Sequence, residues 1–465
     1  MFFKNFLFLP ALGFAIIFPP DPKIFEGVKE FNDWRVKRDE LINLTDYKFG
    51  WPDFACETLL TSGDVPKNVH KITPSDIGII AALGDSVSVA QAAEAETVSE
   101  LLNIYPGSNF VSGGDVRLDQ QATLFNIFHQ YNEKLRGASS SRIKKFYDFN
   151  FAVAGQTSDQ LVNQTLKLVE RLQNRLPIEE FQNSWKFVNI FIGHNDFCKI
   201  CLNSSQIFSA QQFGKSINQS LNIIKENIPK VFVNIMPPIN VFIHEATHKT
   251  LPFCETVHRK TCPCILELSE VEFDSIKKDY DLELKNVIEK IGRNDTFDVV
   301  LSPAIDLDKI PQIGNTSNLA FIALDCFHLS SIAHDISAKQ IWKGLFQYVN
   351  HKENVDFETE DFSKVQCPPK ECSYLRTIEN SKNCQYSLPT GQTRELLMGG
   401  KGKTDGFSGI SLFFILAMFV VGTTLILIFT KYSFSTQNSI QSQQFENERR
   451  RLLPIARTDL DDNLF

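Results

Sequence analysis

The chain has 465 residues, of which 43% are hydrophobic and 22% are charged, and its formal net charge at pH 7 is −8. The length allows one large α/β domain or two smaller ones. The acidic balance, with a pI of about 5.7, argues against a broad basic face, so no nucleic-acid partner is expected.

The first 18 residues form an apolar segment of the kind that directs export. They contain one early lysine and an apolar run from Phe6 to Phe18. This pattern predicts a secretory signal peptide over residues 1–18, and the alternative is an uncleaved N-terminal anchor. Six N-x-S/T sequons agree with export and are candidates for glycosylation: Asn43, Asn163, Asn203, Asn218, Asn294 and Asn315.

The cysteines of an exported chain are expected to be mostly paired, although their connectivity stays open. A C-x-x-C motif at Cys198 and Cys201 is expected to contain structural disulfide cysteines, with redox or zinc chemistry as the weaker alternative. The ten cysteines are Cys56, Cys198, Cys201, Cys254, Cys262, Cys264, Cys326, Cys367, Cys372 and Cys384.

Five short apolar runs predict buried strands, because they are rich in β-branched and aromatic residues and are bounded by turn formers. These runs are 77–83, 148–154, 186–192, 230–236 and 297–303. Helical periodicity predicts helices at roughly 87–103, 157–175, 207–226, 268–291 and 330–349. Strands that alternate with helices indicate a parallel sheet covered on both faces, with ligands beyond the carboxyl ends of the strands.

The first two strand ends carry groups that could act on an ester. Ser86 follows the first strand, where a strand-to-helix turn can expose its hydroxyl and can aim its backbone N–H at an oxyanion. The alternative role of Ser86 is that of a helix N-cap. Gly155 follows the second strand, and its N–H could point into the same crevice or could belong to an ordinary turn.

The third strand end reads Gly-His-Asn-Asp. The side-chain amide of Asn195 is a second kind of oxyanion donor, with a plain turn residue as the alternative. Asp196 can hold the loop. His194 is expected to fill the loop and not to act as a base.

A carboxylate and an imidazole follow the fifth strand at Asp325 and His328. Three residues apart on a turn, these two side chains can meet. Asp325 would then fix the tautomer of His328 and favour the imidazolium that forms when His328 takes a proton from Ser86. The alternative is a helix-capping aspartate beside an incidental histidine.

The C-terminal region predicts a stalk, a membrane span and a cytoplasmic tail. Residues 356–405 contain three closely spaced cysteines and are interpreted as a disulfide-braced stalk, and the alternative is that Cys367 to Cys384 packs onto the main domain. Residues 406–430 include an uncharged run that can cross a hydrocarbon core of about 30 Å at about 1.5 Å per residue. The tail is 431–465.

The four segments that contain Ser86, Gly155, Asn195 and His328 follow one another in the chain order Ser, Gly, Asn, His. In all four segments the sequence resembles the SGNH or GDSL esterases, and among them the membrane-associated phospholipase B group. The resemblance covers roughly residues 75 to 385. It is carried by AALGDS (81–86), SGGD (112–115), FAVAG (151–155), GHNDFCKIC (193–201), CPC (262–264), DCFHLSS (325–331) and YLRTIENS (374–381).

The resemblance implies a three-layer α/β/α sandwich with a five-stranded, mainly parallel, flavodoxin-like sheet over residues 19–355. It implies Ser86 as nucleophile, His328 as general base and Asp325 as the group that orients the histidine. The Ser86 amide, Gly155 and Asn195 would line the oxyanion hole. No cofactor and no metal are expected. The implied substrates are glycerophospholipids and lysophospholipids, cleaved at their acyl esters as by a phospholipase A1, A2 or lysophospholipase.

Two other functions remain open: a catalytically inactive receptor or adhesion ectodomain, and an esterase for soluble acetylated sugars. A rival motif, H-E-x-x-H at His244 to His248, fits catalytic zinc in spacing. It lies in a short segment between prolines without an evident third ligand, so a metal is not expected there.

The chain is expected to be a single-pass type I membrane protein at the cell surface, and the endolysosome is a second expected location. In the tail, Leu452 and Leu453 follow Glu448 at the spacing of an acidic dileucine sorting signal, which predicts a sorting adaptor as partner. The alternative role of this segment is a basic cluster that enforces topology.

Overall fold

The structure is a computed structural model, and it describes residues 29–386 apart from 61–63, 143–146, 203–205, 242–250, 306–311, 314–315, 318, 353 and 355–360. The predicted signal peptide, the H-E-x-x-H motif, the apolar run at 406–430 and the tail with Leu452 and Leu453 therefore lie outside the described residues. Among the helices that are described, none is both long and apolar enough to span a bilayer.

The main sheet has four parallel strands in the described residues, in the spatial order β1-β2-β3-β4. They are β1 (Ile77–Gly84), β2 (Trp185–Phe191), β3 (Val231–Ile235) and β4 (Phe297–Leu301). Nearly every strand residue is buried, as expected for a parallel sheet covered on both faces. Four of the five predicted strands and the parallel α/β class are thus confirmed, with small shifts of the strand ends.

The prediction of a five-stranded sheet is wrong at residues 148–154, the second of the five apolar runs. This segment lies beside the open edge of β1, where the Phe151 N–H donates to Ala82 O at 2.8 Å, but it forms only an isolated bridge between Ala82 and Asn150. A regular ladder is interrupted at the end of β1, where the side chain of Gln164 accepts the Gly84 N–H at 2.9 Å in place of a backbone carbonyl of this segment. Apolar composition alone does not reveal this interruption.

Helices pack on both faces of the sheet. They are α1 (Lys29–Thr45), α2 (Leu124–Tyr131), α3 (Leu161–Arg175), α4 (Ile178–Asn183), α5 (His194–Phe197), α6 (Ala210–Asn227), α7 (Pro252–Thr261), α8 (Cys264–Glu267), α9 (Glu270–Lys290), α10 (Ser331–Gly344) and α11 (Ile378–Lys382). Alternate strand residues enter two separate hydrophobic clusters, one shared with α1, α2 and α10 and the other with α3, α6 and α9. A short antiparallel pair, β5 (Gln312–Ile313) and β6 (Thr316–Ser317), lies apart from the main sheet.

Four of the five predicted helices correspond to α3, α6, α9 and α10. The helix expected at 87–103 is wrong, because the segment contains only two short 3-10 turns, Val87–Val89 and Val98–Glu100. Ala90 and Ala92 between these turns have φ of +50° and +58°, which no right-handed helix can contain.

Residues 361–386 lie against the main domain. Cys367 is joined to Cys56 by a disulfide, and the Trp342 indole N–H donates to Gln366 O at 2.7 Å. The Leu375 N–H donates to Ile72 O at 2.9 Å, and the Leu375 side chain is fully buried in the hydrophobic cluster that contains α10. These contacts agree with the alternative to a separate stalk, in which Cys367 to Cys384 packs onto the main domain.

The four sequon asparagines within the described residues, Asn43, Asn163, Asn218 and Asn294, are all exposed. A glycan at any of these positions would therefore extend into solvent. Asn203 and Asn315 lie outside the described residues.

We predict that Leu375→Ala destabilises the whole domain. Removal of a fully buried leucine side chain leaves a cavity and costs about 2–5 kcal/mol. The matched control is Leu166→Ala, since Leu166 on α3 is 52% exposed and its truncation should change the free energy of unfolding by less than about 0.5 kcal/mol. Thermal unfolding of the full-length chain in detergent measures both, and equal Tm values for the two variants would show that residues 361–386 do not belong to the cooperative core.

Candidate active site

The turn after β1 leaves the hydroxyl of Ser86 without a capping hydrogen bond to the residues that the structure describes. A Cβ built on Gly84 would collide with Phe191 O and Ser88 Oγ, so glycine lets this turn pack closely against the end of β2. Ser86 opens the 3-10 turn Val87–Val89 without a side-chain capping bond, and Asp85 Oδ1 accepts the Val87 N–H at 3.1 Å instead. The capping role that sequence allowed for Ser86 is therefore taken by Asp85.

A buried hydrogen bond joins this turn to the one after β2. His194 Nδ1 lies 2.7 Å from Asp85 Oδ2, and the Ile239 N–H donates to His194 Nε2 at 3.1 Å. Because Nε2 accepts, the hydrogen bonds assign the imidazole proton to Nδ1, from which it is donated to Asp85. Both ring nitrogens of His194 are thus engaged, and the geometry makes His194 a link between turns, with no nitrogen left to act as a base. Sequence reasoning missed this link.

The turn after β2 also holds the loop that contains Gly155. Asp196 accepts the Ser158 N–H at 2.9 Å and the Ser158 hydroxyl at 2.5 Å. Burial raises the pKa of Asp196 to about 6, although the two hydrogen bonds from Ser158 lower it. The half-buried Asn195 donates its amide to Gln156 O at 3.0 Å, beside Gly155, whose φ is +78°. The structure therefore places Asn195 against the loop that contains Gly155.

Gln164 on α3 binds the open edge of β1 at the same place. Its Oε1 accepts the Gly84 N–H at 2.9 Å, and its Nε2 donates to Gly84 O at 2.8 Å. The same Nε2 lies 2.6 Å from Gln156 Oε1. A second residue that sequence reasoning missed thus ties the Ser86 turn to the Gly155 loop. The detectable sign was a glutamine on the buried face of an amphipathic helix.

Asp325 and His328 form the expected pair. Asp325 Oδ2 is hydrogen-bonded to His328 Nδ1, and Asp325 Oδ1 accepts the backbone N–H groups of Phe327 at 3.1 Å and His328 at 3.0 Å. One carboxylate therefore closes the turn and fixes the imidazole orientation. His328 Nε2 is buried and has no hydrogen-bond partner within the part of the chain that the structure describes, Ser86 Oγ included. This nitrogen is free to accept a proton.

A pocket connects the histidine loop with the segment that follows Ser86. Its lining includes Asp325, Phe327 and His328 together with Gln91, and the Gln91 N–H donates to Ser86 O at 3.0 Å. The remaining wall is mostly apolar and is formed by Val98, Leu101, Leu102 and Val257, with Lys260 and Thr261. The pocket is therefore mostly apolar, contains the Asp325–His328 pair in its lining and is connected to the Ser86 backbone through Gln91.

All ten cysteines are paired, which confirms the expected disulfides. The C-x-x-C motif is bonded to the Cys-Pro-Cys segment through Cys198–Cys262 and Cys201–Cys264, so its cysteines do not pair with each other. The other pairs are Cys56–Cys367, Cys254–Cys326 and Cys372–Cys384. Over the described ranges, no group of three or more His, Cys, Asp or Glu side chains could hold a metal ion.

Residues 80–341 match the profile of the GDSL-like lipase/acylhydrolase family, which is more than half of the chain. The chain belongs to this family. The family resemblance seen in the sequence motifs is thus confirmed.

Among curated proteins, similar relatives carry the name "Phospholipase B1, membrane-associated". The protein of Mus musculus is 32% identical over 367 residues, which are 75% of this chain and 24% of that protein. The protein of Homo sapiens is 30% identical over 337 residues, 71% of this chain and 23% of that protein. The chain spans about a quarter of the length of these relatives.

We predict that His194→Asn keeps the turnover of the enzyme within about tenfold and loses stability. Asparagine can still donate to Asp85, but it leaves the buried Ile239 N–H without an acceptor, which costs about 1–3 kcal/mol. The measurement is kcat together with thermal unfolding of the full-length chain. A folded variant with turnover near background would identify His194 as the base.

Proposed function

We propose that this chain is a serine hydrolase that cleaves acyl ester bonds of glycerophospholipids and lysophospholipids and releases fatty acids. The observation that carries the proposal is His328 Nε2, buried and unpartnered among the described residues, on an imidazole that Asp325 orients at the wall of an apolar pocket. Membership of the acylhydrolase family and similarity to the phospholipase B1 proteins support the same reaction class.

In the first half-reaction, Ser86 Oγ attacks the acyl carbonyl carbon while His328 Nε2 takes the hydroxyl proton. Asp325 stabilises the imidazolium through Nδ1. The N–H groups of Ser86 and Gly155 and the Asn195 amide would donate to the oxyanion of the tetrahedral intermediate, and one such donor is typically worth about 10²–10³ in turnover. His328 then protonates the departing alcohol oxygen, and the ester bond breaks to leave an acyl-serine.

In the second half-reaction, His328 Nε2 takes a proton from a water molecule that attacks the acyl-serine. The fatty acid is released and Ser86 regains its proton from the imidazolium. These steps need only the groups already named and no redox partner.

The pocket favours a hydrocarbon acyl chain over a soluble acetylated sugar. Val98, Leu101, Leu102 and Val257 give it a mostly apolar wall, which would bind methylene groups. The segment Val-Ser-Val-Ala after Ser86 leads to Gln91 in the pocket lining, so substitutions in this segment would affect acyl preference before reaction type.

A catalytically inactive receptor ectodomain is the second candidate. It would need no nucleophile, yet Ser86, Gly155, Asn195, Asp325 and His328 are all present. Among the described residues, the Ser86 hydroxyl makes no capping bond and His328 Nε2 has no partner, and neither feature would serve a purpose in such a protein.

The proposed location is a membrane, with the enzyme on the outer or luminal side. The support is the uncharged run within 406–430, the signal-like segment 1–18, the exposed sequons and five disulfides, which form in oxidising compartments. The tail 431–465 would then be cytoplasmic, and Leu452 with Leu453 would bind a sorting adaptor.

The reaction is tested with the full-length chain in detergent. We expect fatty-acid release from lysophospholipid and phospholipid in the presence of EDTA, and little turnover of acetylated sugars. Ser86→Ala should lose nearly all turnover. The matched control is Ser88→Ala, which loses one hydrogen bond to Phe191 O and should keep turnover within about fivefold.

Three outcomes would contradict the proposal. Release of phosphocholine in place of fatty acid would move the cleaved bond to the phosphate. Full inhibition by EDTA would favour a metal centre at His244 to His248. A Ser86→Ala variant as active as the Ser88→Ala control would show that Ser86 is not the nucleophile.

A further inference from the structure

Cys326, the residue directly after Asp325, is held by a covalent bond from another element. It forms a disulfide with Cys254, which lies in α7. Cys326 is fully buried and has a φ of +61°, a conformation that is unfavourable for any residue with a Cβ. The backbone between Asp325 and His328 is therefore held in a shape that it would not adopt without outside contacts.

A second contact from α7 reaches the same residue. His258 Nε2 lies 2.8 Å from Cys326 O, and His258 is fully buried. Because a carbonyl oxygen only accepts, the proton is on His258 Nε2 and is donated to Cys326. Cys254 and His258 are four residues apart, so they lie on one face of α7 and hold Cys326 through its side chain and its backbone at once.

The helix that supplies these contacts is itself fixed in the core. The Phe253 ring packs edge-on against Phe31 of α1 at 5.2 Å, and both rings are buried. Val257 of α7 is also part of the pocket wall opposite Phe327 and His328. One helix thus borders the substrate pocket and holds the loop that carries the base.

We propose that α7 is the positioning element for the Asp325–His328 pair, acting through the Cys254–Cys326 disulfide and the hydrogen bond from His258 to Cys326 O. The inference rests on the proposed function. Neither Cys254 nor His258 contacts the reacting atoms. They act by keeping Cys326 in its left-handed conformation, which sets the distance between the Asp325 carboxylate and His328 Nδ1 and the direction of Nε2.

The test compares His258→Phe with His258→Gln in the full-length chain. Phenylalanine fills the buried site but cannot donate, whereas the glutamine amide can donate to Cys326 O. We expect His258→Phe to lower kcat by about 10- to 100-fold with KM changed by less than about threefold, as for a misplaced catalytic group. His258→Gln should recover kcat to within about fivefold of the unmodified chain. Turnover is normalised to the number of sites that a fluorophosphonate labels at completion, so an unfolded fraction does not enter kcat.

A second variant and a spectroscopic signal complete the test. Replacing both cysteines, Cys254→Ala with Cys326→Ala, should give the same loss of kcat. In both impaired variants, the far-downfield proton resonance of the Asp325–His328 hydrogen bond should weaken or move, which a loss of stability elsewhere would not cause. An unchanged kcat and an unchanged resonance in His258→Phe and in the double variant would overturn the inference. An unmodified chain that neither hydrolyses esters nor labels would instead refute the proposed function.

Discussion

The hydrogen bond between Asp85 and His194 is the constraint on which the site depends. It connects the turns after β1 and β2 in the protein interior, where an unpaired carboxylate would be costly. Asp196 adds a second buried link, to Ser158, and together these bonds set the positions of Ser86, Asn195 and the Gly155 loop. The polar side chains of Asp85, His194 and Asp196 therefore hold the two turns together. Their neighbours Ser86 and Asn195 are the side chains that remain available for chemistry.

Hydrogen-bond partners distinguish the two buried histidines, His194 and His328. His194 uses both ring nitrogens inside the fold, whereas His328 uses only Nδ1, on Asp325. The same residue type thus serves as a fixed connection in one loop and as the proposed base in the other. The difference is made by the Ile239 N–H, which is far away in sequence and occupies Nε2 of His194.

The sheet and most helices could be predicted because burial on both faces leaves a direct mark on composition and periodicity. The two failures have local causes that such patterns do not contain. At 148–154 the side chain of Gln164 takes the Gly84 N–H that a further strand would bind, and at 87–103 two alanines adopt positive φ. The site residues could be named because parallel strands gather their carboxyl ends, and the family motifs assigned their roles. The pairing of Cys254 with Cys326 and the position of residues 361–386 could not be predicted, because both depend on contacts between distant parts of the chain.

The central claim is that the Asp325–His328 pair activates Ser86, and site-resolved labelling tests it most directly. The full-length chain is treated with a fluorophosphonate, digested and mapped by tandem mass spectrometry. The account predicts one adduct, on Ser86, that forms much more slowly when His328 is replaced by alanine and that forms within about tenfold of the unmodified rate when His194 is replaced by asparagine. An adduct on another serine, no adduct on Ser86, or labelling of Ser86 at an unchanged rate without His328 would contradict the account.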